Sequence, residues 1–165
     1  MQHFLCVVAA MVLFVAGYQG ISRAAEDATS IVGAASVIDG DTLEIHGQRI
    51  RLHAIDAPES DQTCVRSDGS QWRCGQRAAL ALADKIGRGT VTCLGKDRDR
   101  YRRVVAVCHL HSEDLNRWMV SEGWAVAYRR YGLDYVDDED AARSAGVGIW
   151  SGAFTMPWDW RRRNR

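Results

Sequence analysis

The stretch that decides the fold reads Val37-Ile38-Asp39-Gly40-Asp41-Thr42, followed at positions 49–59 by Arg-Ile-Arg-Leu-His-Ala-Ile-Asp-Ala-Pro-Glu. Short β-branched runs alternate in part with polar residues and are separated by the turn formers Asp39-Gly40 and Gly47-Gln48. Alternation between turn signals is typical of half-buried antiparallel strands. The sequence therefore predicts three consecutive strands, over residues 31–38, 42–46 and 49–55.

The predicted hairpin brings two carboxylates together. If Gly47-Gln48 is a two-residue turn, Asp41 lies opposite Ala54, and Ala54 and Asp56 share one face of the sheet. Asp41 and Asp56 are then diagonal neighbours, with Cβ atoms roughly 7–8 Å apart. Two carboxylates at that separation, completed by a backbone carbonyl and water, suit a hard divalent cation such as calcium.

The same register separates Arg51 from the carboxylates. It places Arg51 opposite Glu44 and, because the spacing to Asp56 is odd, on the other face of the sheet. Arg51 can serve the same cleft only if the third strand bulges or bends before Asp56. Pro58 cannot continue a strand ladder, so Glu59 is expected to begin an exit loop, where it can orient or deprotonate a water molecule.

Apolar residues recur at helical spacing in three later segments. The first of these segments is followed by Gly87, and glycine commonly terminates helices. The predicted helices span residues 74–86, 114–122 and 136–146. Acidic residues around the third helix are expected to form a solvated face, namely Asp134, Asp137, Asp138, Glu139 and Asp140.

Two further apolar segments, 90–94 and 104–110, are joined by the charged stretch 96–100 and predict a β-hairpin. Residues 60–72 carry turn formers without periodicity, which indicates a loop. Five short strands with an interposed helix and later helices predict an α+β fold. Its expected architecture is a five-stranded OB-type β-barrel with about three α-helices.

The composition is that of one globular domain, because 47% of the 165 residues are hydrophobic and 25% are charged. Lys+Arg and Asp+Glu each number 21, so the formal net charge is zero. That balance argues against a protein that coats nucleic acid by bulk attraction. Only Lys85 and Lys96 are lysines, and the remaining 19 cations are arginines, which favours forked recognition of phosphate or carboxylate.

Residues 4–18 form an uncharged apolar run that is too short to span a bilayer comfortably. The small residues Ser22 and Ala24 follow and suit cleavage after Ala24, so residues 1–24 are predicted to be a cleaved signal peptide. The protein is then expected to be periplasmic or secreted, without stable membrane association, and an uncleaved N-terminal anchor is the alternative. Residues 25–36 are expected to hold a disordered lead-in and the start of the first strand, and residues 161–165 a basic tail.

Signal cleavage would remove Cys6 and leave four cysteines. An even count in an oxidising compartment indicates two disulfides, although four cysteines permit three pairings. Two local bridges are favoured, Cys64–Cys74 and Cys93–Cys108. Four free thiols, or a zinc site that includes His109 and His111, are the alternatives.

Three motifs resemble the staphylococcal nuclease (thermonuclease) family. They are Ile-Asp-Gly-Asp-Thr at 38–42, Arg-Leu-x-x-Ile-Asp-Ala-Pro-Glu at 51–59 and Asp-Arg-Tyr-x-Arg at 99–103. Shorter matches follow at Gly75-Gln76, Asp114-Leu115-Asn116, Gly123-Trp124-Ala125 and Gly148-Ile149-Trp150. The resemblance covers residues 37–160, which are expected to form one nuclease-like OB-barrel domain.

The resemblance implies a calcium-dependent endonuclease that cleaves DNA and RNA and leaves 3′-phosphate ends. The positions of the implied calcium ligands are Asp41, Asp56 and the carbonyl of Ala57. Glu59 falls on the position of the general base, and Arg51 and Arg103 fall on those of the arginines that grip the scissile phosphate. All five charged positions are intact, which favours an active enzyme over a non-catalytic nucleic-acid-binding barrel or a protein-interaction domain.

Three further residues are candidates for substrate binding. Tyr101 and Tyr128 can stack on bases or contact phosphate, with core or rim packing as the alternative. Arg102 stands where the family often has glycine and can add phosphate affinity. The expected substrates are DNA and RNA, preferably single-stranded or denatured, and the protein is expected to be a monomer.

Overall fold

The structure is a computed structural model that describes residues 29–164. The expected signal peptide, residues 1–24, lies outside the described residues, as does most of the expected disordered lead-in. Between residues 29 and 164, no helix combines the length and the apolarity needed to cross a membrane.

Strands dominate the first half of the described chain, and strands alternate with helices in the second. The first half contains β1 (Ser30–Ala34), β2 (Ser36–Asp39), β3 (Thr42–Ile45), β4 (Gln48–Leu52), β5 (Ile55–Asp56), β6 (Cys64–Arg66), β7 (Gln71–Trp72) and α1 (Cys74–Ile86). The second half contains β8 (Thr90–Arg98), β9 (Val104–Leu110), β10 (Glu113–Asp114), α2 (Leu115–Ser121), β11 (Val126–Ala127), α3 (Val136–Ala145), a 3-10 helix (Gly148–Ser151), β12 (Gly152–Ala153) and α4 (Pro157–Arg163).

The main sheet closes on itself. Its strand order is β1-β8-β9-β4-β3-β2, in which β4 and β9 run parallel and the other neighbours antiparallel. The predicted first strand is broken into β1 and β2 at Ala35, so both ends of the sheet belong to one run of chain. If β1 and β2 are counted as one bent strand, the sheet is a five-stranded barrel. The predicted α+β OB-type architecture is confirmed. Residues 29–164 form four α-helices rather than about three, and the additional helix is α4.

Alternate residues of the strands fill the barrel. The buried hydrophobic positions of its central hairpin are Leu43, Ile45, Ile50 and Leu52. This spacing follows the period of two that a half-buried strand requires. Helix α1 adds Ala78, Leu82 and Ile86, four residues apart, to the same core. Full burial of a Leu or Ile side chain contributes roughly 1.5–3 kcal/mol, so this core accounts for much of the fold's stability.

The turn between β3 and β4 is His46-Gly47, one residue earlier than expected. His46 has a φ of 52° and Gly47 a φ of 75°, and two consecutive positive values are what a type I′ hairpin needs. Ile45 consequently pairs with Gln48. The predicted turn at Gly47-Gln48 is wrong because histidine tolerates the left-handed region better than most residues. The ring of His46 also contacts the carbonyl oxygen of Val32 at 3.1 Å.

The earlier turn shifts the cross-strand pairs of the hairpin by two residues. Thr42, and not Glu44, lies opposite Arg51. A shift of two leaves every side chain on its expected face, because side chains alternate along a strand. The predicted partners are therefore wrong, whereas the predicted faces of the hairpin are retained.

Residues 60–72, expected to form a loop, contain a small hairpin. Strand β6 pairs with β7 on one edge and with β12 on the other. These strands have two or three residues, too few for alternation to show in the sequence. Both expected disulfides are formed: Cys64–Cys74 ties β6 to the start of α1, and Cys93–Cys108 joins opposed positions of β8 and β9. These four cysteines are therefore not available to a zinc site with His109 and His111.

Helix α3 carries a buried carboxylate that was expected on a solvated face. Glu139 is 1% exposed; its Oε1 accepts the amide N–H of Ala127 at 3.1 Å, and its Oε2 accepts from Arg129 Nη1 at 2.6 Å. The expectation fails here because α3 packs against β11, where this carboxylate satisfies a backbone donor. Asp137 and Asp140 on the same helix are exposed, as expected.

Replacing Glu139 tests whether this contact anchors α3. Glu139→Ala leaves the Ala127 amide without its acceptor, so we expect the free energy of unfolding to fall by about 2–3 kcal/mol. Urea denaturation measures the change. The matched control, Asp140→Ala, removes an exposed carboxylate from the next position and should change stability by less than about 0.5 kcal/mol. Equal stability of the two variants would contradict an anchoring role.

Candidate active site

The chain bends between β4 and β5, and the bend brings Arg51 to Asp56. Ala54 has a φ of 55°, and Asn116 on α2 holds the bend by donating from its side-chain amide to the His53 carbonyl at 3.0 Å. Arg51 Nη2 donates to Asp56 Oδ1 at 2.7 Å. The third strand therefore has the bend that a shared cleft requires.

Asp41 lies in the turn between β2 and β3, and its carboxylate is buried. Its Oδ2 accepts the amide N–H of Ala57 at 2.8 Å. Its Oδ1 accepts the hydroxyl of Thr42 at 3.2 Å and contacts Arg51 Nη1. The backbone carbonyl of Asp41 accepts the Leu52 N–H at 2.8 Å. The expected position of Asp41 opposite Ala54 is therefore wrong by two residues.

Asp56 is fully buried on β5, and two guanidinium groups compensate its charge. Besides Arg51, Arg161 donates to Asp56 from Nη1 to Oδ1 at 3.0 Å and from Nη2 to Oδ2 at 2.8 Å. Burial lowers the pKa of Arg51, and the charge of Asp56 offsets part of that effect. Burial also disfavours charged Arg161, but hydrogen bonds and charge from Asp56 and Glu59 raise its pKa above the ordinary value.

Glu59 begins the exit loop, and the loop is fixed by its backbone. The Glu59 N–H donates to Gln62 Oε1 at 3.2 Å, and the Glu59 carbonyl accepts the Gln62 N–H at 2.8 Å. A Cβ atom at Gly75, in the first turn of α1, would lie 1.6 Å from the Glu59 carbonyl oxygen, so this close approach requires glycine. The half-exposed Glu59 side chain accepts from Arg161 Nη1 at 2.5 Å.

Arg103 is held at the rim of the same cluster. Asp99 accepts from Arg103 Nε at 2.7 Å and from its backbone N–H at 2.9 Å. Burial alone would raise the pKa of Asp99, but these hydrogen bonds and the charge of Arg103 outweigh it and lower that pKa. Arg103 Nη1 reaches Thr42 Oγ1 at 3.4 Å, beside Asp41. The structure thus places Arg103 next to the group formed by the other predicted site residues.

Tyr101 and Arg102 lie at the tip of the β8–β9 hairpin. Tyr101 is 63% exposed, with the guanidinium groups of Arg100 and Arg103 at 4.8 and 5.5 Å from its ring centroid. Arg102 has a φ of 67°, a conformation that favours glycine, and its side chain is exposed. Tyr101 therefore adjoins the cluster through Arg103, whereas Arg102 faces solvent.

Tyr128 lies beside the bend and is partly buried, with two aromatic neighbours on its ring. Its backbone N–H donates to the Ala54 carbonyl at 2.8 Å. Trp158 stacks on the ring with centroids 5.4 Å apart and an angle of 18° between planes, and Tyr131 makes an edge contact at 5.1 Å. Of the predicted substrate-binding residues, Tyr128 is thus the one beneath α4.

Helix α4 replaces most of the expected basic tail. Arg161, Arg162 and Arg163 are its last residues, and Arg161 is part of the carboxylate cluster. Seven residues ending in an arginine run give no usable periodicity, so the helix was missed. Pro157 at the first helical turn was the available signal, because proline is favoured there. Gln62, which donates to the Thr155 carbonyl at 2.6 Å ahead of α4, was also missed.

The oxygen atoms of this cluster fit a hard divalent ion. Carboxylates of Asp41 and Asp56, the Thr42 hydroxyl and the nearby Ala57 peptide offer the donor chemistry that calcium prefers. Within residues 29–164, no three acidic, histidine or cysteine side chains converge as a ready cage for an ion. Arg51 and Arg161 stand between the carboxylates instead.

Several known proteins are similar to this chain. Succinoglycan biosynthesis protein ExoI of Rhizobium meliloti (strain 1021) is 42% identical over 127 residues, which are 74% of this chain and 66%, just under two thirds, of ExoI. An uncharacterized endonuclease of Haemophilus influenzae is 31% identical, over 78% of this chain and 71% of the relative. The micrococcal nuclease of Shigella flexneri is 34% identical, over 78% and 79% of the two chains.

A family match agrees with the arrangement of the cluster. The family described as "Staphylococcal nuclease homologue" matches residues 49–152, more than half of the chain. This range includes the bend, the exit loop and Arg103. The resemblance in the motifs is therefore confirmed, and the chain belongs to the staphylococcal nuclease family.

Proposed function

We propose that this protein is an exported, calcium-dependent endonuclease that hydrolyses phosphodiester bonds in DNA and RNA. The observation that carries the proposal is the buried cluster in which Arg51 contacts both Asp41 and Asp56, with Glu59 beside them. Two of the similar proteins are named as nucleases. The name of the Rhizobium relative refers to succinoglycan biosynthesis and specifies no reaction, so the proposed reaction rests on the residues of the site.

Asp41 and Asp56 are the proposed ligands of calcium, with the Ala57 carbonyl and water completing the shell. Bound calcium would supply positive charge to the phosphate oxygens as negative charge develops there. Asp56 is held by a two-stranded pairing with β11, and Asp41 by the Ala57 amide. The Asp41 carboxylate is therefore fixed by a backbone donor, and the Asp56 main chain by strand pairing.

Arg51 and Arg103 are the proposed phosphate-binding groups. A guanidinium group presents two parallel N–H donors, so each arginine can clasp two phosphate oxygens. Asp99 fixes Arg103 through the Nε atom. That contact uses Nε and leaves the Nη groups for phosphate. Of these, Nη1 reaches the Thr42 hydroxyl, beside Asp41. Loss of one such contact to the developing charge would cost about two orders of magnitude in rate, or roughly 3 kcal/mol.

Glu59 is the proposed general base. It would accept a proton from the attacking water as the oxygen of that water bonds to phosphorus and the bond to the 5′ oxygen breaks. The 5′ oxygen takes up a proton from solvent and leaves as a hydroxyl group, and the phosphate stays on the 3′ oxygen. Glu59 is suited to this role because its side chain is half exposed, whereas Asp56 is fully buried.

Substrate contacts beyond the scissile phosphate are proposed for Tyr101, Arg102 and Tyr128. The exposed Tyr101 ring and the Arg102 guanidinium lie on the hairpin that carries Arg103. Aromatic faces bind unstacked bases of single strands, which supports a preference for single-stranded or denatured DNA and RNA. We propose that the enzyme acts as a monomer.

Export is proposed from two features. Residues 4–18 have the apolar character of a signal peptide, and small residues follow them. The two disulfides suit an oxidising compartment, such as the periplasm or the cell exterior. We propose that the mature protein has no stable membrane association.

An assay on DNA and RNA, single- and double-stranded, tests the proposed activity. We expect hydrolysis with calcium, none with a chelator, and products that polymerase extends only after phosphatase has removed the 3′-phosphate. Binding without turnover in calcium would instead indicate a non-catalytic nucleic-acid-binding barrel. If the protein neither binds nor hydrolyses nucleic acid, a protein-interaction domain becomes the explanation.

Substituting Arg103 tests the forked phosphate contact. In Arg103→Lys the charge remains but the paired donors are lost, so we expect kcat to fall about 100-fold. Steady-state kinetics on denatured DNA measures the fall, and circular dichroism verifies the fold. Arg88→Lys, the same change at an exposed position, is the control and should retain full activity. A near-normal rate in Arg103→Lys would remove this residue from the phosphate site.

Substituting Asp41 tests the calcium site without substrate. Asp41→Asn removes one negative charge from the proposed ligand pair, so we expect the calcium Kd to rise at least about tenfold. Isothermal titration calorimetry gives the Kd directly. Asp137→Asn, at an exposed acidic position, should bind calcium as the unsubstituted protein does. An unaltered titration for Asp41→Asn would exclude Asp41 as a ligand.

A further inference from the structure

The arginine that closes the carboxylate cluster comes from the far end of the chain. Arg161 is separated from Asp56 by 105 residues and from Glu59 by 102. It donates to both oxygens of Asp56 and to one oxygen of Glu59, at distances of 2.5 to 3.0 Å. Arg161 therefore engages both oxygens of Asp56, and a calcium ion bound by Asp56 would compete with the guanidinium for them.

The charges of the cluster favour such an exchange. Asp41, Asp56 and Glu59 bring three negative charges, and Arg51 and Arg161 bring two positive ones. Replacing one arginine by a divalent ion makes the formal sum zero. Buried charges are tolerated only when they are compensated, and Arg161 supplies one of the two positive charges that a divalent ion would bring.

A second contact of α4 is independent of the carboxylates. Trp158 precedes Arg161 by three residues, so both side chains project from one face of the helix. Trp158 stacks on Tyr128, whose backbone is bonded to the bend. Helix α4 thus covers two places at once, the carboxylates and a tyrosine proposed to bind substrate.

Arg161 can leave without opening the core. Its side chain is 31% exposed, whereas Asp56 is fully buried. A cleft of about 190 Å³, lined in part by Glu59, Asp61 and Trp160, opens beside the guanidinium. The displaced side chain therefore has solvent and space next to it.

We propose that Arg161 is a built-in cation of the site, which calcium must displace, so that helix α4 sets the calcium concentration at which the cleft becomes available. This inference rests on the proposed function, since it takes Asp56 as a calcium ligand. When the arginine-bound form dominates, the apparent calcium Kd equals the intrinsic Kd divided by the fraction of molecules in which Asp56 is free. Displacement of Arg161 also releases Glu59 and loosens the helix that carries Trp158.

Calorimetric titration of the full chain with calcium tests the competition. Arg161→Gln removes the competing charge, and we expect its calcium Kd to fall about tenfold, as for a free fraction of about one tenth in the unsubstituted protein. The matched control is Arg162→Gln, the next residue of α4, which is exposed and pairs with Asp159 on its own helix. Its Kd should not change. An unchanged or higher Kd for Arg161→Gln would overturn the proposal.

Hydrogen exchange of the unsubstituted protein gives a test that needs no variant. With calcium bound, amides in residues 158–164 should exchange faster than in chelator, because α4 has lost its contact with Asp56 and Glu59. Unchanged exchange at saturating calcium would overturn the proposal even if Arg161→Gln fails to fold. If neither protein binds calcium, both this inference and the proposed function are wrong. Competition without hydrolysis of any substrate would remove only the proposed function.

Discussion

A carboxylate with no access to water is the constraint on which the rest of this site depends. Asp56 is held on a strand of only two residues, and its charge must be balanced within the protein. The bend after β4 brings Arg51 to one of its oxygens, and α4 brings Arg161 to both. The bend and the position of the last helix can therefore be understood as ways of supplying positive charge to one buried group.

The parts of the fold that the sequence predicts well are those with clear periodicity. The spacing in residues 74–86 predicts α1 to the residue, because its buried face repeats every four positions. The register of the central hairpin is predicted less well, since it depends on whether His46 adopts a positive φ. Short strands such as β6, β7 and β12 are set by pairing with distant segments, which a local pattern does not contain.

The candidate site divides in the same way. Asp41, Arg51, Asp56 and Glu59 lie within 19 consecutive positions, so a motif and a register argument can bring them together. Arg161 is more than 100 residues away, and nothing near it in sequence distinguishes it from Arg162. Glu139 was misassigned for a related reason, because its acceptor role depends on the amide of Ala127 across a helix–strand contact. Long-range hydrogen bonds of single side chains leave no periodic signal along the chain.

The missing side chain at Gly75 has a consequence for how this family of sites can vary. The backbone of the loop carrying Glu59 occupies the space that the Cβ atom of any other amino acid at position 75 would need. The position of the Glu59 carboxylate thus depends on the absence of a side chain at Gly75, a helical residue that takes no part in the proposed chemistry. A mutation of Gly75 to any other residue would push the loop away and displace the Glu59 carboxylate. The position of the loop therefore depends on glycine at residue 75.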